Sequence, residues 1–271
     1  MFLLILLLAR SSWGQEDICI GQRWSIYSQV LHEERAYWVH LPDDYGTDRE
    51  KRYPVIYLLD GDSFFHVWVG FDKTLSSGKR RPLPSAILVG VLNVDRARDF
   101  TPTASAAGRD GRVREGARPQ GGGSESFSRF LTEELRSRID SAYRTDGQTT
   151  LVGHSYAGLF TLNTFLSHTE QFDNYLAVDP SLWWDQGRLV KEADSLICQK
   201  DFSSKRLYVG IASKKREDRV SIHQNEAELL FDKVLPQARN LQYHTKFFPE
   251  EVHGTVPIPG FYDGIKQLFG K

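Results

Sequence analysis

The chain has 271 residues, of which 40% are hydrophobic and 25% charged. That is the composition of an ordinary globular protein and excludes collagen-like and low-complexity classes. The formal net charge is -1, so no global field draws the chain to nucleic acid or to an anionic membrane, and no nucleic-acid partner is expected.

At the N-terminus, Phe2 to Ala9 forms an apolar run far shorter than the roughly 20 residues that span a bilayer. It has the shape of a signal-peptide core, with Ser12 and Gly14 as small residues before a cut at Gln15, although no Lys or Arg precedes it. Residues 1–14 are therefore expected to be an export signal. Residues 15–271 are expected to form a single domain, periplasmic or secreted, with no membrane insertion once the signal is removed. The 2 cysteines, Cys19 and Cys198, lack metal-site spacing. In an oxidising compartment they pair or stay as two unpaired, partly buried thiols, and the sequence leaves both open.

From Arg35 onward, strand-like and helix-like runs alternate. RAYWVHLP (Arg35 to Pro42) alternates in polarity, whereas YPVIYLLD (Tyr53 to Asp60) and AILVGVLN (Ala86 to Asn93) are nearly continuous apolar runs, as expected of strands buried on both faces. Arg96 to Gly123 is rich in Gly, Ala and Arg and shows no period; a segment of that length reads as a lid or solvated loop. Ser124 to Arg144 repeats apolar residues at three- and four-residue steps and predicts an amphipathic helix. TTLVGH (Thr149 to His154) is a strand, Tyr156 to Ser167 a helix, NYLAVDP (Asn174 to Pro180) and RLYVGIAS (Arg206 to Ser213) strands, Ile222 to Leu235 a helix, LQYHTKFFP (Leu241 to Pro249) a strand, and Phe261 to Phe269 a closing helix. This alternation predicts an α/β fold, a mostly parallel central sheet with helices on both faces. Ligands of such sheets bind at the carboxyl ends of the strands.

The stretch LVGHSYAG (Leu151 to Gly158) nearly spells G-x-S-x-G, with Gly153 and Ser155 in place, Ala157 where the second glycine belongs and Gly158 one residue late. The nucleophile-elbow pattern requires a strand, a sharp turn carrying serine, and a helix. That context is met here, so Ser155 is the candidate nucleophile. Small residues are needed two before and two after the serine, where strand and helix approach; Ala157 adds one methyl group to that demand.

A serine hydroxyl needs a base. The chain order Ser, acid, His puts that base after the last strand, where EEVHGTVPIPG carries His253. His244 falls within a strand and His223 enters a helix, so both read as surface or packing residues. His154 reads as packing beside the elbow. The acid is expected after RLYVGIAS, at Asp218 or Glu217, with Asp179 after NYLAVDP as a second location and an acid-free dyad as a further alternative. The oxyanion donors are expected to be the backbone N–H groups of Tyr156, following the nucleophile, and of Asp62, where Gly61 turns the chain at a strand end.

With these pieces placed, the chain resembles the putative-esterase family of α/β-hydrolases, the group related to esterase D and the enterochelin (siderophore) esterases. The resemblance rests on YPVIYLLDGDSFF, VGVLNVDRARDFTPT, GGGSESFSRFLTEEL, LVGHSYAGLF, VDPSLWWD and EEVHGTVPIPGFYDGIKQLF and spans nearly the whole chain after residue 14. It implies the α/β-hydrolase fold, Ser155 as nucleophile, His253 as base, Asp62 and Tyr156 as oxyanion donors, and an acid that maps loosely to Glu217 or Asp218. It implies a metal- and cofactor-independent serine esterase acting on a small-molecule or glycan-linked ester, of siderophore, feruloyl or acetyl type. Acyl transfer to an alcohol on the same site is an alternative, as is a glycan- or siderophore-binding module with vestigial chemistry. Trp183 and Trp184 follow a strand's carboxyl end, where they either line the substrate site or cap the core.

Overall fold

The computed structural model describes residues 17–76, 82–213 and 222–270; the expected export signal lies outside them. In chain order the elements are β1 (Gln22–Ser28), β2 (Glu33–His40), β3 (Tyr53–Leu58), α1 (Gly61–Leu75), β4 (Ile87–Val91), α2 (Arg96–Phe100), β5 (Ala104–Ser105), β6 (Gln120–Gly121), α3 (Ser124–Arg129), α4 (Arg136–Ala142), β7 (Thr145–His154), α5 (Tyr156–Ser167), β8 (Asn174–Val178), α6 (Arg188–Cys198), β9 (Arg206–Ala212), α7 (Ile222–Leu229), β10 (Gln242–Phe248) and α8 (Pro257–Phe269). A wider helical turn, Phe130–Leu135, joins α3 to α4, so the predicted amphipathic helix is continuous but not uniform.

Eight strands form one sheet in the order β1-β2-β4-β3-β7-β8-β9-β10. β2 runs antiparallel to both of its neighbours, and every pair from β4 to β10 is parallel. Alternation along the strands divides the core. Tyr53, Val55 and Tyr57 of β3 face one apolar cluster with the residues of α5 and α6, while Ile56 and Leu58 face a second one with α1 and α8. β9 divides in the same way, Leu207, Val209 and Ile211 against Tyr208. A period of two on strands covered from both sides is why these runs read as almost wholly apolar. Helices lie on both faces, as expected.

Three parts differ from the sequence expectation. β1 was not anticipated: it is an edge strand exposed along most of its length, so it carries no apolar run. α1 begins at Gly61, where only a turn was expected, and buries Phe65, Trp68 and Val69; its aromatic and β-branched residues are weak helix formers that tertiary packing holds helical. The Arg96 to Gly123 segment is ordered by α2 and by the short ladder between β5 and β6. Asp95 caps α2 by accepting from the Arg98 amide at 3.0 Å. Buried Arg35 and Asp99, joined at 2.8 Å, tie the segment to β2.

Cys19 and Cys198 are both free and exposed, which decides between the two alternatives in favour of free thiols. Among the described residues, no helix is long and apolar enough to cross a membrane.

Candidate active site

The parallel strands deliver their carboxyl ends to one edge of the sheet, and the candidate residues gather there. Ser155 sits between β7 and α5 with φ 62° and ψ -120°, a conformation outside the ordinary wells of a residue with a side chain. The structure shows what enforces it. A Cβ on Gly153 would lie 2.2 Å from the carbonyl oxygen of Ala157, so strand and helix meet where only glycine fits. A Cβ on Gly158 would stand 3.0 Å from Pro180 Cα and from the Val178 carbonyl oxygen. Ala157 itself is fully buried in the core, and its methyl group is accommodated. The close approaches therefore fall on Gly153 and Gly158, and the alanine leaves the elbow intact.

The Ser155 Oγ stands 3.0 Å from His253 Nε2, and His253 Nδ1 stands 2.5 Å from Asp179 Oδ2. His253 lies in the loop between β10 and α8; Asp179 directly follows β8. An ionised carboxylate only accepts, so His253 Nδ1 carries the proton and donates to it. Nε2 is left as the acceptor for the serine hydroxyl. Asp179 Oδ1 accepts from the Ala212 amide at 2.9 Å and from His223 Nε2 at 3.0 Å. Burial works to raise the Asp179 pKa, but the hydrogen bonds and charges of His223 and His253 outweigh it and hold the carboxyl well below its ordinary value. Asp179 is thus an anion at neutral pH although only 3% exposed.

Of the expected acids, Glu217 and Asp218 lie outside the described residues. The Nδ1 proton of His253 is engaged by Asp179, the second location the sequence offered. His223, expected to be a surface or packing residue, instead bonds the same carboxylate. No local signal marks either contact: Asp179 and His253 are 74 residues apart, Asp179 and His223 44. Only the order of strands in the sheet, β8 beside β9 beside β10, brings them together.

His154 packs its ring on that of His253, with centroids 4.7 Å apart. Its Nε2 donates to the His253 carbonyl oxygen at 3.1 Å. Burial, reinforced by the neighbouring His253, lowers its pKa from 6.5 to about 4, so it stays neutral and serves as a fixed donor. This carries a stability consequence. Between pH 6.5 and 4 the unfolded chain takes up a proton here that the folded chain refuses, so stability falls as pH drops through that window. At about 1.36 kcal/mol per unit the loss reaches about 3 kcal/mol. Urea midpoints measured from pH 7 to pH 4 should show it, and His154→Gln should flatten that part of the curve.

Asp62 is the second residue of α1 and Tyr156 the first of α5. The N–H groups of a helix's first turn have no intrahelical acceptor and lie at the positive end of its dipole, which makes both amides available to an anion. Gly61 permits this approach, since a Cβ there would stand 2.6 Å from the Gly90 carbonyl carbon in β4. The two loops are tied together by Arg96. Its Nε and Nη2 donate to the Asp60 carboxylate at 2.6 and 2.8 Å, and Nη2 also donates to the His154 carbonyl at 3.3 Å. Asn93 Nδ2 donates to Asp60 and Asp62 at 2.8 and 3.0 Å.

Trp183 and Trp184 are both buried and belong to the core cluster, yet both rings stand against Tyr156, at 5.9 and 5.2 Å. Trp184 Nε1 donates to the Thr103 carbonyl at 3.1 Å, and the Arg109 guanidinium lies over the Trp183 ring at 5.4 Å. The pair is thus a core cap whose one side meets the residue after Ser155. His154, Asp179 and His253 also bring possible metal-ligand atoms within 4.8 Å of one another. Of these three, Asp179 and His253 are already engaged with one another and His253 with Ser155, while His154 Nε2 is taken by the His253 carbonyl oxygen.

Comparison with known proteins accords with this geometry. A model of the family described as "Putative esterase" matches residues 28–255. The ferri-bacillibactin esterase BesA of Bacillus subtilis is 32% identical over 182 residues, covering 61% of each chain. A siderophore enterobactin esterase of Emericella nidulans is 26% identical over 269 residues, covering 85% of this chain and 87% of that one. An IroE-like serine hydrolase from Shewanella oneidensis superposes with a TM-score of 0.83 at 32% identity, covering 92% of this chain and 80% of that structure. The chain belongs to the putative-esterase family and is, with that family, a serine ester hydrolase of α/β fold.

Proposed function

We propose that this chain cleaves a siderophore-type carboxylic ester through an acyl-enzyme on Ser155, with His253 as base and Asp179 as the acid that orients it. The observation that carries this is the continuous line from hydroxyl to imidazole to buried carboxylate, at 3.0 and 2.5 Å, on a serine held at φ 62°. Ser155 Oγ attacks the ester carbonyl carbon while its proton passes to His253 Nε2. The carbonyl oxygen becomes an oxyanion that the amides of Asp62 and Tyr156 hold. Such donors typically contribute about 2.7–4 kcal/mol each. Collapse expels the alcohol, which takes the proton from Nε2. Water then gives a proton to Nε2 and attacks the acyl carbon; collapse of this second tetrahedral intermediate breaks the bond from the acyl carbon to Ser155 Oγ, which takes the proton back from Nε2 as the acid leaves.

The substrate class rests on the relatives, which are named for siderophore esters. A fluorophosphonate probe should label the folded protein at Ser155. Ser155→Ala should abolish labelling and lower turnover of p-nitrophenyl and siderophore esters by roughly 10⁴-fold or more. A folded wild-type protein that is neither labelled nor active would overturn the assignment.

A further inference from the structure

The contact between His223 and Asp179 has no part in the Ser–His–Asp scheme. We propose that His223 is a positioning residue for the esterase reaction, a second imidazole that clamps the Asp179 carboxylate so that its other oxygen stays aimed at His253. This rests on the function proposed above.

Three donors meet the Asp179 carboxylate, one on Oδ2 and two on Oδ1. His253 Nδ1 takes Oδ2, while His223 Nε2 and the Ala212 amide share Oδ1. The Ala212 amide is part of the sheet frame, but a single amide leaves the carboxylate free to rotate about its Cβ–Cγ bond. Two donors on Oδ1 fix the plane of the group, and the plane sets the direction in which Oδ2 accepts. Asp179 itself stands at φ 44°, so its backbone alone is not a relaxed platform.

The tautomer follows from the partners. His223 Nε2 faces a carboxylate and carries a proton, while His223 Nδ1 is buried and has no hydrogen-bond partner among the described residues. Among the described residues, the charged and titratable groups around His223 are Asp179 at the end of β8, His253 in the loop before α8, Glu226 one turn on in α7, and Lys191 of α6 beside Glu226. Through this donor His223 orients Asp179, and Oδ2 is left to His253.

The test compares His223→Leu, which removes the donor, with His223→Gln, whose amide nitrogen reaches the place of Nε2. His223→Leu should lower kcat on p-nitrophenyl esters about tenfold to a hundredfold with KM little changed. It should also move the acid limb of the kcat/KM profile to higher pH, because Asp179 loses a donor that disperses its charge. The far-downfield proton resonance of the His253 Nδ1–H bond to Asp179 should shift or broaden in the same variant. His223→Gln should restore all three. Loss of α7 packing alone would lower stability without moving the acid limb or the resonance. A folded His223→Leu protein with wild-type kcat, acid limb and resonance would overturn the proposal. Failure of the esterase assignment is read separately: wild-type protein would then take no fluorophosphonate label, while the resonance would still report the tie between His223 and Asp179.

Discussion

Asp179→Asn should lower kcat on p-nitrophenyl esters by about 10³–10⁴-fold while leaving KM and the fold nearly unchanged. The magnitude is that of removing the acid from a serine triad in general. The physical cause is specific to this carboxylate. His253 must present a lone pair at Nε2 to the serine hydroxyl 3.0 Å away, and that requires its proton on Nδ1. Asp179 enforces this tautomer because an anion accepts and does not donate. An asparagine can turn its NH₂ toward Nδ1, which favours the tautomer with the proton on Nε2 and blocks attack. The imidazolium formed as the serine proton moves also loses the counter-charge of a carboxylate only 3% exposed. Asp218→Asn and Glu217→Gln serve as controls and should retain activity within a few-fold. If either control instead caused the large loss and Asp179→Asn did not, the acid would be the one expected after RLYVGIAS. The pH dependence separates orientation from charge. Asp179 is held anionic well below its ordinary range, so the acid limb of the wild-type profile should carry no contribution from the ionisation of Asp179.

The acid is also where the sequence was least legible. YPVIYLLD, AILVGVLN and RLYVGIAS identify themselves as strands because burial on both faces leaves them apolar without interruption, and the α/β alternation follows from them. Ser155 and its elbow are legible because every part of the elbow is local: strand, glycine, serine and helix lie within LVGHSYAGLF. His253 is legible by its place after the last strand. The acid has no such local signature, since an aspartate after a strand is common at the carboxyl edge of any parallel sheet. The distinction between Asp179 and a residue after β9 depends on how far each strand end lies from the His253 loop. The His223 contact and the Arg96 tie between Asp60 and the His154 carbonyl are invisible for the same reason. α1 was hidden differently. Phe64, Phe65, Trp68 and Val69 have strand-like propensity, and their packing against the sheet holds them in a helix.

Gly153→Ala should damage both the fold and the chemistry, and the way it does so tests whether strain at Ser155 is built by packing. The added methyl carbon would sit 2.2 Å from the Ala157 carbonyl oxygen and 2.3 Å from its carbon. Both are backbone atoms in the first turn of α5, so no side-chain rotation relieves the contact and strand must part from helix. Forced overpacking of a core contact typically costs 1–3 kcal/mol, and a backbone clash belongs at the upper end, about 3 kcal/mol. The same separation would carry Ser155 and the Tyr156 amide with it. A displacement near 1 Å in a reacting group costs on the order of 10²-fold in rate. Gly153→Ala should therefore lower the urea midpoint and slow fluorophosphonate labelling by about 10²-fold in the protein that remains folded. Ala157→Gly is the complementary change. It removes a methyl group the site already accommodates, so labelling should stay within a few-fold of wild type, at a stability cost of about 1 kcal/mol for glycine in a helix. A stable, fully reactive Gly153→Ala protein would show that the left-handed serine does not depend on the closeness of β7 to α5. The α5 N-terminus alone would then have to hold it.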